Sequence, residues 1–441
     1  MYAISDQYKK AAVFGAGRSG RAAMRLLNAV GMPACLLEKE ATNIPADFKI
    51  WLEQNNIPVF TGEHKIEYLH DIDLIIPSPG VARSAIARIY AEDGLPCNAE
   101  IMAESELAWR FLEKEPVIGI TGTSGKTTTT SLCSAMLQQH GFDVFTGGNI
   151  GVPLSEYVLS RFSGRPKADV VVLELSSFQL QTCSTLRPHV GVLLNISENH
   201  LDFHKDMEEY IDAKMQLFVH QHKDDFAVFN PILGPLAQQF HLAATIKFFS
   251  TDQTLFPDTK LIGIHNQSNA SAAFLAASVF GVTKEEAKAA MKEFSPIANR
   301  LEYVDDINGI IYVNDSKCTT VEALTVALNS FDNPLILLAG GKFKGGDLHG
   351  LRPLIKKHVK SVFLYGASRS IFESAWADIV PVTWDENLTL AFARLHQFAK
   401  PGDIVLLAPA TSSFDQYANY VERGNHFKQL VMQRKSSIDA E

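Results

Sequence analysis

The chain has 441 residues, of which 46% are hydrophobic and 20% charged, and its formal net charge at pH 7 is −9. This length predicts about two to four domains, and an acidic balance without a long basic run argues against nucleic acid as a partner. Residues 1–10 lack the apolar core of a signal peptide, and no apolar run approaches the roughly 18 residues of a membrane span. The five cysteines are scattered, which is typical of reduced thiols. We therefore expect a cytoplasmic protein without membrane insertion.

The N-terminal segment predicts a small α/β unit with a parallel sheet. Residues 10–20 read as a strand that enters a glycine turn and a helix, and further strands are expected at 33–38 and 73–76. Residues 100–113 have the pattern of a helix, which we interpret as the link to the next domain.

The glycine turn of this segment has the spacing Gly15-x-Gly17-x-x-Gly20, and Glu38 follows it. A glycine turn after a strand, with an acid about twenty residues on, is the fingerprint of dinucleotide-binding proteins. Because such a turn can hold any diphosphate at a helix N-terminus, NAD is only one candidate ligand. A tight turn with a purely structural role is the alternative.

The next segment has the order strand, glycine loop, Lys-Thr, helix. Residues 117–120 predict a buried strand, and residues 131–140 place apolar side chains on one helical face. In such a loop, backbone N–H groups surround nucleotide phosphates, while Lys126 supplies an ammonium group and Thr127 a magnesium-binding hydroxyl. The strict pattern requires a glycine where this chain has Ile120, so the loop is a variant. A glycine-rich turn without a ligand is the alternative.

Two later strands end in candidate metal ligands. The strand predicted at 168–175 ends in Glu174, and a carboxylate in that position reaches the metal of the nucleotide in phosphate-loop proteins. A capped or ion-paired strand end is the alternative for Glu174. The next strand leads into residues 196–204, where two histidines and two acids favour magnesium over zinc, with a surface turn as the alternative. Lys214 follows in a predicted helix and, taken alone, reads as an exposed lysine.

The last part of the chain predicts a doubly wound α/β domain, in which loops at the strand ends carry function. A helix of small residues at 264–280 precedes it, and its Asn266 and Asn269 could cap the helix or hydrogen-bond a purine ring. The predicted strands are 310–313, 334–338, 361–365 and 403–407. The polar loops are 314–320, 340–346 and 409–416.

Taken in order over nearly the whole chain, these motifs resemble the Mur ligase family of cell-wall synthesis. They are 121–127 (TGTSGKT), 147–151 (GGNIG), 174–179 (ELSSFQ), 194–202 (LNISENHLD), the helix with His265, Asn266 and Asn269, Asn299 with Arg300, and 314–317 (NDSK). The variant phosphate loop is the usual form in this family. Within it, segments 174–179 and 412–416 (SSFDQ) resemble the members that add D-glutamate.

The resemblance implies an α/β protein of three domains. These are a Rossmann-like domain for the UDP-linked substrate at 1–98, a central phosphate-loop ATPase-like domain with a mainly parallel sheet at 99–299, and a doubly wound α/β domain for the amino acid at 300–441. It also implies an enzyme that joins D-glutamate to UDP-N-acetylmuramoyl-L-alanine through an acyl phosphate and a tetrahedral intermediate. ATP and a pair of Mg²⁺ ions would be required, and we expect a monomer.

Carried over position by position, the resemblance gives each site a set of residues. The ATP set is Gly122, Thr123, Ser124, Gly125, Lys126, Thr127, Thr128, Asn269, Arg300 and Asp315. The set for the UDP-linked substrate is Gly17, Arg18, Ser19, Glu38, Ser78, Gly80, Asn149 and His200. The D-glutamate set is Lys317, Thr319, Lys344, Ser413 and Phe414. The metal set is Thr127, Glu174, His200 and Lys214, the last as a carbamate, and the catalytic set is Lys126, Glu174, His200 and Lys214.

The chain departs from the family pattern at a few positions. Asn199 stands where the motif often has Asp, Asn299 stands where His usually precedes the arginine, and Cys318 replaces a small residue. Lys39–Glu40 lacks the Thr-Arg often found at the uridine edge. Two other functions stay open: a family member that adds another residue, such as L-alanine or a diamino acid, and a nucleotide-dependent switch. A switch has no need of the C-terminal Lys/Ser/Phe pocket.

Overall fold

The computed structural model describes residues 4–92, 94–198, 203–251, 255–256, 261, 264–294, 298–331 and 334–439. The contacts of the chain divide it into two compact units, Met1–Leu255 with Ser268–Ala290 and Phe256–Gln267 with Met291–Glu441. Within the described ranges there are three β-sheets, two in the first unit and one in the second. None of the described helices has the length and apolar character needed to cross a membrane.

The first unit begins with a parallel sheet whose strands lie in the order β3-β2-β1-β4-β5. The strands are β1 (Ala11–Phe14), β2 (Ala34–Glu38), β3 (Val59–Thr61), β4 (Leu74–Pro77) and β5 (Glu100–Ile101). The helices are α1 (Arg18–Ala29), α2 (Ala46–Gln54), α3 (Arg83–Glu92) and α4 (Glu104–Trp109). β1 is buried along its whole length, as expected for a central strand whose sheet is covered on both faces. The prediction of a parallel α/β unit is confirmed.

The second sheet of this unit is also parallel, in the order β11-β10-β9-β6-β8-β7. Its strands are β6 (Val117–Thr121), β7 (Val144–Gly148), β8 (Val170–Glu174), β9 (Val190–Leu193), β10 (Phe226–Phe229) and β11 (Thr245–Phe248). The helices are α5 (Lys126–Gln139), α6 (Leu154–Phe162), α7 (Ser177–Leu180), α8 (Met207–Val219), α9 (Gly234–Gln239), α10 (Ile264–Ser278) and α11 (Lys284–Glu293). Because β6 lies between β8 and β9, the loops that follow these three strands meet at one edge.

The third sheet is mixed, since β12 and β13 are antiparallel and the other pairs are parallel. Its strands, in the order β12-β13-β17-β14-β15-β16, are β12 (Glu302–Ile307), β13 (Ile310–Asn314), β14 (Leu335–Gly340), β15 (Val359–Tyr365), β16 (Val382–Asp385) and β17 (Ile404–Leu407). The helices are α12 (Val321–Leu328), α13 (Arg352–His358), α14 (Arg369–Trp376), α15 (Leu388–Leu395) and α16 (Tyr420–Asp439). The predicted fold class is confirmed. The boundaries at 98/99 and 299/300 stay predictions.

The single linking helix expected at 100–113 is wrong. Glu100–Ile101 forms the edge strand β5, and α4 covers only Glu104–Trp109. The Glu100 carboxylate accepts hydrogen bonds from the Tyr8 hydroxyl (2.5 Å) and from Arg110 (3.1 Å). These contacts hold Glu100 beside the first sheet, where pairing with β4 favours an extended backbone.

Candidate active site

The glycine loop after β6 makes a tight turn into α5, which begins at Lys126, earlier than the predicted 131–140. Gly122 and Gly125 have φ angles of +155° and +82°, conformations that glycine adopts without strain. A Cβ atom on Gly125 would lie only 2.4 Å from Asn269 Oδ1, so Asn269 is placed directly against the loop. Because Asn269 lies in the second turn of α10, it does not cap this helix, and its contact with a nucleotide stays a prediction.

Asn195, at the end of the adjacent strand β9, fixes the middle of the loop. Its Oδ1 accepts a hydrogen bond from the Ser124 N–H (2.9 Å), and its Nδ2 donates to the Ser124 carbonyl (3.2 Å). Thr123 contacts the same connection, since its hydroxyl accepts from the Ser197 N–H at 3.0 Å. The sequence motif contains Asn195, but its pattern gave no sign of this supporting role.

Lys126 lies over the loop that it follows. Its Nζ donates hydrogen bonds of 2.9 Å to the carbonyl oxygens of Gly122 and Thr123. The ammonium group is therefore held at the mouth of the glycine turn, where the N–H groups of the α5 N-terminus also concentrate positive potential. This geometry is that of an anion-binding loop.

Glu174, at the end of β8, is 98% buried and contacts the start of α5. Its Oε2 accepts a hydrogen bond from the Thr127 hydroxyl (2.8 Å), and its Oε1 accepts from Asn149 Nδ2 (2.8 Å). Among the described residues it has no cation within 4.0 Å, so the ion-paired alternative finds no support. A hydroxyl and a carboxylate oxygen side by side form the hard-oxygen donor set that Mg²⁺ prefers, and the residues fit this ion.

Lys214 is buried, with 1% of its surface exposed, and the expectation of an exposed lysine is wrong. It shares one face of α8 with Tyr210 and Leu217, and α8 can approach β6 because Gly119 lacks a side chain: a Cβ there would lie 2.6 Å from Leu217 Cδ1. Lys214 Nζ donates to the Gly122 carbonyl (2.9 Å) and lies 4.5 Å from the Tyr210 ring centroid. Burial, with a smaller effect of the Lys126 charge, lowers the pKa of Lys214 to about 6.

The predicted metal and substrate ligand His200 lies outside the described residues, as does Asn199. In the described part of the chain, no group of three or more His, Cys, Asp or Glu side chains is arranged to hold a metal ion. The second histidine of the segment, His204, is buried and its Nε2 lies 2.9 Å from the Ser177 hydroxyl. His204 therefore contacts the ELSSFQ motif through Ser177.

The glycine turn of the first sheet is organised around its own acid. Glu38 accepts hydrogen bonds from the Ala16 N–H (2.7 Å), Asn43 Nδ2 (3.1 Å) and the Glu40 N–H (3.2 Å). Burial alone would raise the pKa of Glu38, but these hydrogen bonds lower it below its ordinary value. A Cβ on Gly20 would lie 2.0 Å from the Gly15 carbonyl oxygen, so this turn requires glycine.

Gly17, Arg18, Ser19, Ser78 and Gly80, also predicted for the UDP-linked substrate, lie near the ends of β1 and β4. Ser78 donates from its hydroxyl to the Gly15 carbonyl at 3.2 Å. Arg18 donates to the Gly151 carbonyl at 3.3 Å, which connects this turn to the GGNIG loop that contains Asn149. The remaining members, Gly17, Ser19 and Gly80, are at least partly exposed.

In the third sheet, strand order brings the predicted D-glutamate residues onto neighbouring loops. The loops after β13, β17 and β14 are adjacent because these strands are consecutive in the sheet. Lys317 and Thr319 are half-buried, Ser413 is buried, and Lys344 and Phe414 are exposed. The sheet therefore collects five residues from three segments that are far apart in the sequence.

Asp315 lies at the end of β13 and is buried. Burial raises the pKa of Asp315 to about 7. The hydrogen bond from the Leu301 N–H and the positive charges of Arg300 and Lys317 lower the pKa, but their effect is smaller. Arg300 and Asp315, both predicted nucleotide contacts, are therefore close enough to interact. Asn299 precedes them with a φ of +64° and accepts a hydrogen bond from Asn314 Nδ2 (3.0 Å).

Sequence reasoning did not identify Arg423, which is fully buried in α16. Its Nη2 donates to the carbonyl oxygens of Ser316 (2.8 Å) and Thr411 (3.1 Å). It thereby joins the loops that carry Lys317 and Ser413. A single arginine on a helix has no sequence signal that distinguishes it from an exposed one.

The strand, glycine loop, Lys-Thr and helix of the second sheet define a phosphate-loop protein of the α/β class. The family model of the Mur ligase middle domain matches residues 120–240, and that of the "Mur ligase, glutamate ligase domain" matches residues 299–411. The UDP-N-acetylmuramoylalanine–D-glutamate ligase of Nitratidesulfovibrio vulgaris is 53% identical over 422 residues, which cover 96% of this chain and 95% of the relative. That of Lawsonia intracellularis is 51% identical, covering 96% and 94%.

The fold agrees with this relationship. The solved structure of MurF ligase from Thermotoga maritima in complex with ADP is similar to this chain at a TM-score of 0.58 and 17% identity, covering 98% of each chain. At that identity the likeness concerns the fold. Together with the relatives above it leads to one conclusion: the chain belongs to the Mur ligase family.

Proposed function

We propose that the protein is an ATP-dependent amide ligase that adds D-glutamate to UDP-N-acetylmuramoyl-L-alanine in the synthesis of peptidoglycan precursors. The observation that carries the proposal is the convergence of two lysines, Lys126 and Lys214, on the Gly122 carbonyl. Thr127, which follows the same loop, donates a hydrogen bond to Glu174 at the end of the neighbouring strand β8. The names of the relatives that are 50–53% identical over most of their length support the choice of substrates.

The chemistry explains why such a loop is needed. A carboxylate is a poor electrophile, so one of its oxygens has to become part of a leaving group. Transfer of the γ-phosphoryl group from ATP to the alanyl carboxylate gives an acyl phosphate and ADP. The amine of D-glutamate then adds to the acyl carbon, and the tetrahedral intermediate collapses to the amide and inorganic phosphate. Lys126 offsets the repulsion between the two reacting anions and positions the transferred group.

Thr127 and Glu174, with His200, would hold magnesium, which supplies charge neutralisation to the phosphates when bound. We propose a pair of ions and a carbamate on Lys214. A pKa of about 6 leaves most of the Lys214 amine neutral at neutral pH, and the neutral amine is the form that reacts with CO₂. The carbamate would turn a buried neutral amine into a carboxylate-like metal ligand close to the Gly122 carbonyl.

The remaining residue sets complete the proposal. Asn269, Arg300 and Asp315 would contact the nucleotide, together with the loop residues 122–128. The residues for the UDP-linked substrate are Gly17, Arg18, Ser19, Glu38, Ser78, Gly80, Asn149 and His200. The residues for D-glutamate are Lys317, Thr319, Lys344, Ser413 and Phe414. We further propose domains at 1–98, 99–299 and 300–441, and a cytoplasmic monomer.

An assay of ADP release tests this function. UDP-N-acetylmuramoyl-L-alanine is supplied with ATP, Mg²⁺ and one amino acid at a time from a panel. We expect turnover only when that amino acid is D-glutamate. With UDP-N-acetylmuramate as acceptor, turnover with L-alanine would instead support a different member of the family. ATP hydrolysis that no amino acid stimulates would support a nucleotide-dependent switch.

A further inference from the structure

A cavity of about 1020 Å³ lies in the first unit, beside the edge strand β5. Its walls come from Gln7 and Tyr8, from the start of α3, and from residues within 97–101, 109–115 and 181–185. None of its lining residues belongs to the proposed ATP, UDP-substrate or D-glutamate sets. Its volume is at the upper end of the range, about 300–1000 Å³, that is usual for small-molecule sites.

The acids in the wall each have a cationic partner. Glu100 is paired with Arg110 (3.1 Å), Glu115 with Arg161 (3.5 Å), and Glu113 with Lys167. Their negative charges are therefore compensated within the protein, and they contribute little to the potential inside the cavity.

Two cations in the wall lack such compensation. Arg83, at the first position of α3, and Lys114, in the connection to β6, both line the cavity and are exposed. Neither has an acid within 4.0 Å among the described residues. With the acids neutralised by their partners, Arg83 and Lys114 leave the cavity with positive potential, which favours an anion.

The cavity also has an apolar wall. Trp109 and Leu112 are half-buried and pack against the hydrophobic core. Ile101 and Ala87 extend the apolar surface. A flat apolar group next to a negative charge would match this combination of walls.

The side chain of Gln181 connects the cavity to the helix α8. Gln181, in its wall, donates a hydrogen bond of 2.8 Å from Nε2 to Glu209 Oε1. Glu209 lies in the first turn of α8, the helix that contains Lys214. A molecule that displaces Gln181 would therefore act on this helix.

We propose that this cavity is a second ligand site, which binds an organic anion with a flat apolar body and thereby changes turnover. Binding is independent of the proposed function, whereas the effect on turnover rests on it. The geometry assigns the anion to Arg83 and Lys114 and the apolar body to Trp109 and Leu112.

The test uses the full chain and 8-anilinonaphthalene-1-sulfonate as the probe. We expect saturable binding of one probe per chain that saturating ATP and UDP do not displace. The double variant Arg83→Ala, Lys114→Ala should bind about tenfold more weakly or worse, a loss of about 1.4 kcal/mol. Ala87→Trp should also weaken binding, because its indole ring would occupy part of the space beside the apolar wall. Arg88→Ala is the matched control, because Arg88 is exposed on the same helix but does not line the cavity.

Unchanged affinity in both the double variant and Ala87→Trp would overturn the site, and so would displacement of the probe by ATP or UDP. In the ADP-release assay, a probe concentration that saturates the wild type should change its rate at least about twofold and should change the rate of Ala87→Trp less. A wild-type rate that the bound probe does not alter would overturn the link through Gln181. A chain without ligase activity would contradict the proposed function, while the binding experiment would still decide the site.

Discussion

The first unit contains two glycine turns that are alike in backbone and different in chemistry. Each follows a buried strand, each has at least one glycine at positive φ, and each leads into a helix, α1 or α5. In the first turn, Glu38 accepts the Ala16 N–H, so an acid of the protein occupies one of the backbone donors. In the second turn, Lys126 and Lys214 donate hydrogen bonds to loop carbonyl oxygens. Glu174 accepts a hydrogen bond from the Thr127 hydroxyl.

This difference shows what a glycine turn alone leaves undecided. Both turns offer N–H groups at a helix N-terminus and could hold a phosphate. Only the second combines them with two amines and with hydroxyl and carboxylate oxygens. We therefore assign phosphoryl transfer to the second turn and substrate binding to the first, and the following predictions test this division.

The largest effect is expected for Lys126→Ala. The change removes the ammonium group that offsets phosphate charge, and kcat/KM for ADP release should fall by at least about 10³-fold. The hydrogen bonds of Lys126 to the Gly122 and Thr123 carbonyl oxygens lie within its own loop, so we expect the unfolding temperature to change little. Turnover within tenfold of the wild type would contradict the assignment of the second turn.

Lys214→Ala should lower kcat by about 10²-fold or more, since the proposed carbamate can no longer form. Short carboxylic acids such as acetate should restore part of the activity, because they can occupy the space of the lost side chain and supply the same oxygen atoms. Lys126→Ala is the control here, and acetate should not rescue it. Full activity of Lys214→Ala without any additive would contradict the proposed carbamate.

Gly20→Ala should affect stability through the first turn. Its Cβ would lie 2.0 Å from the Gly15 carbonyl oxygen, and we expect a loss of about 3 kcal/mol in the free energy of unfolding, measured with denaturant. Gly17→Ala is the matched control, because its Cβ would have its nearest neighbour at 3.8 Å and its φ is −65°. Equal stability of the two variants would show that the turn is looser than the geometry requires.

Lys214 should also give stability a dependence on pH. Its folded-state pKa of about 6 lies below the unfolded value of about 10.4, so between these values the unfolded chain binds more protons and stability rises with pH. In CO₂-free buffer near pH 7, Lys214→Met should therefore have a higher free energy of unfolding than the wild type. This difference should shrink by about 1.4 kcal/mol per pH unit as the pH rises from about 7 to 9. A gain that does not vary with pH would mean that the lysine is not held neutral.

The parts of this fold that could be predicted from sequence are those with local causes. The β6 strand, its glycine loop and the Lys126–Thr127 pair follow from a buried apolar run and the order of residues beside it. The burial of Lys214 could not be predicted, because it depends on the close approach of α8 to Gly119 in a strand far away in the sequence. The role of Arg423 is equally non-local, since its partners Ser316 and Thr411 lie on two other loops.

The residues of the third-sheet loops were predicted from the family motifs. The spacing of these residues alone did not indicate which ligand the loops bind. Strand order now explains why those loops belong together. It does not by itself identify an amino-acid substrate, and here the assignment to D-glutamate depends on the motifs at 174–179 and 412–416 and on the relatives.

The most direct test of the account follows one oxygen atom. UDP-N-acetylmuramoyl-L-alanine, labelled with ¹⁸O in its alanyl carboxylate, is converted with ATP, Mg²⁺ and D-glutamate, and the inorganic phosphate is analysed by mass spectrometry. If the second glycine turn transfers phosphate to the carboxylate, each amide formed should release one phosphate that carries one labelled oxygen. Unlabelled phosphate, released while ADP and the amide accumulate, would contradict the acyl phosphate and with it the central claim.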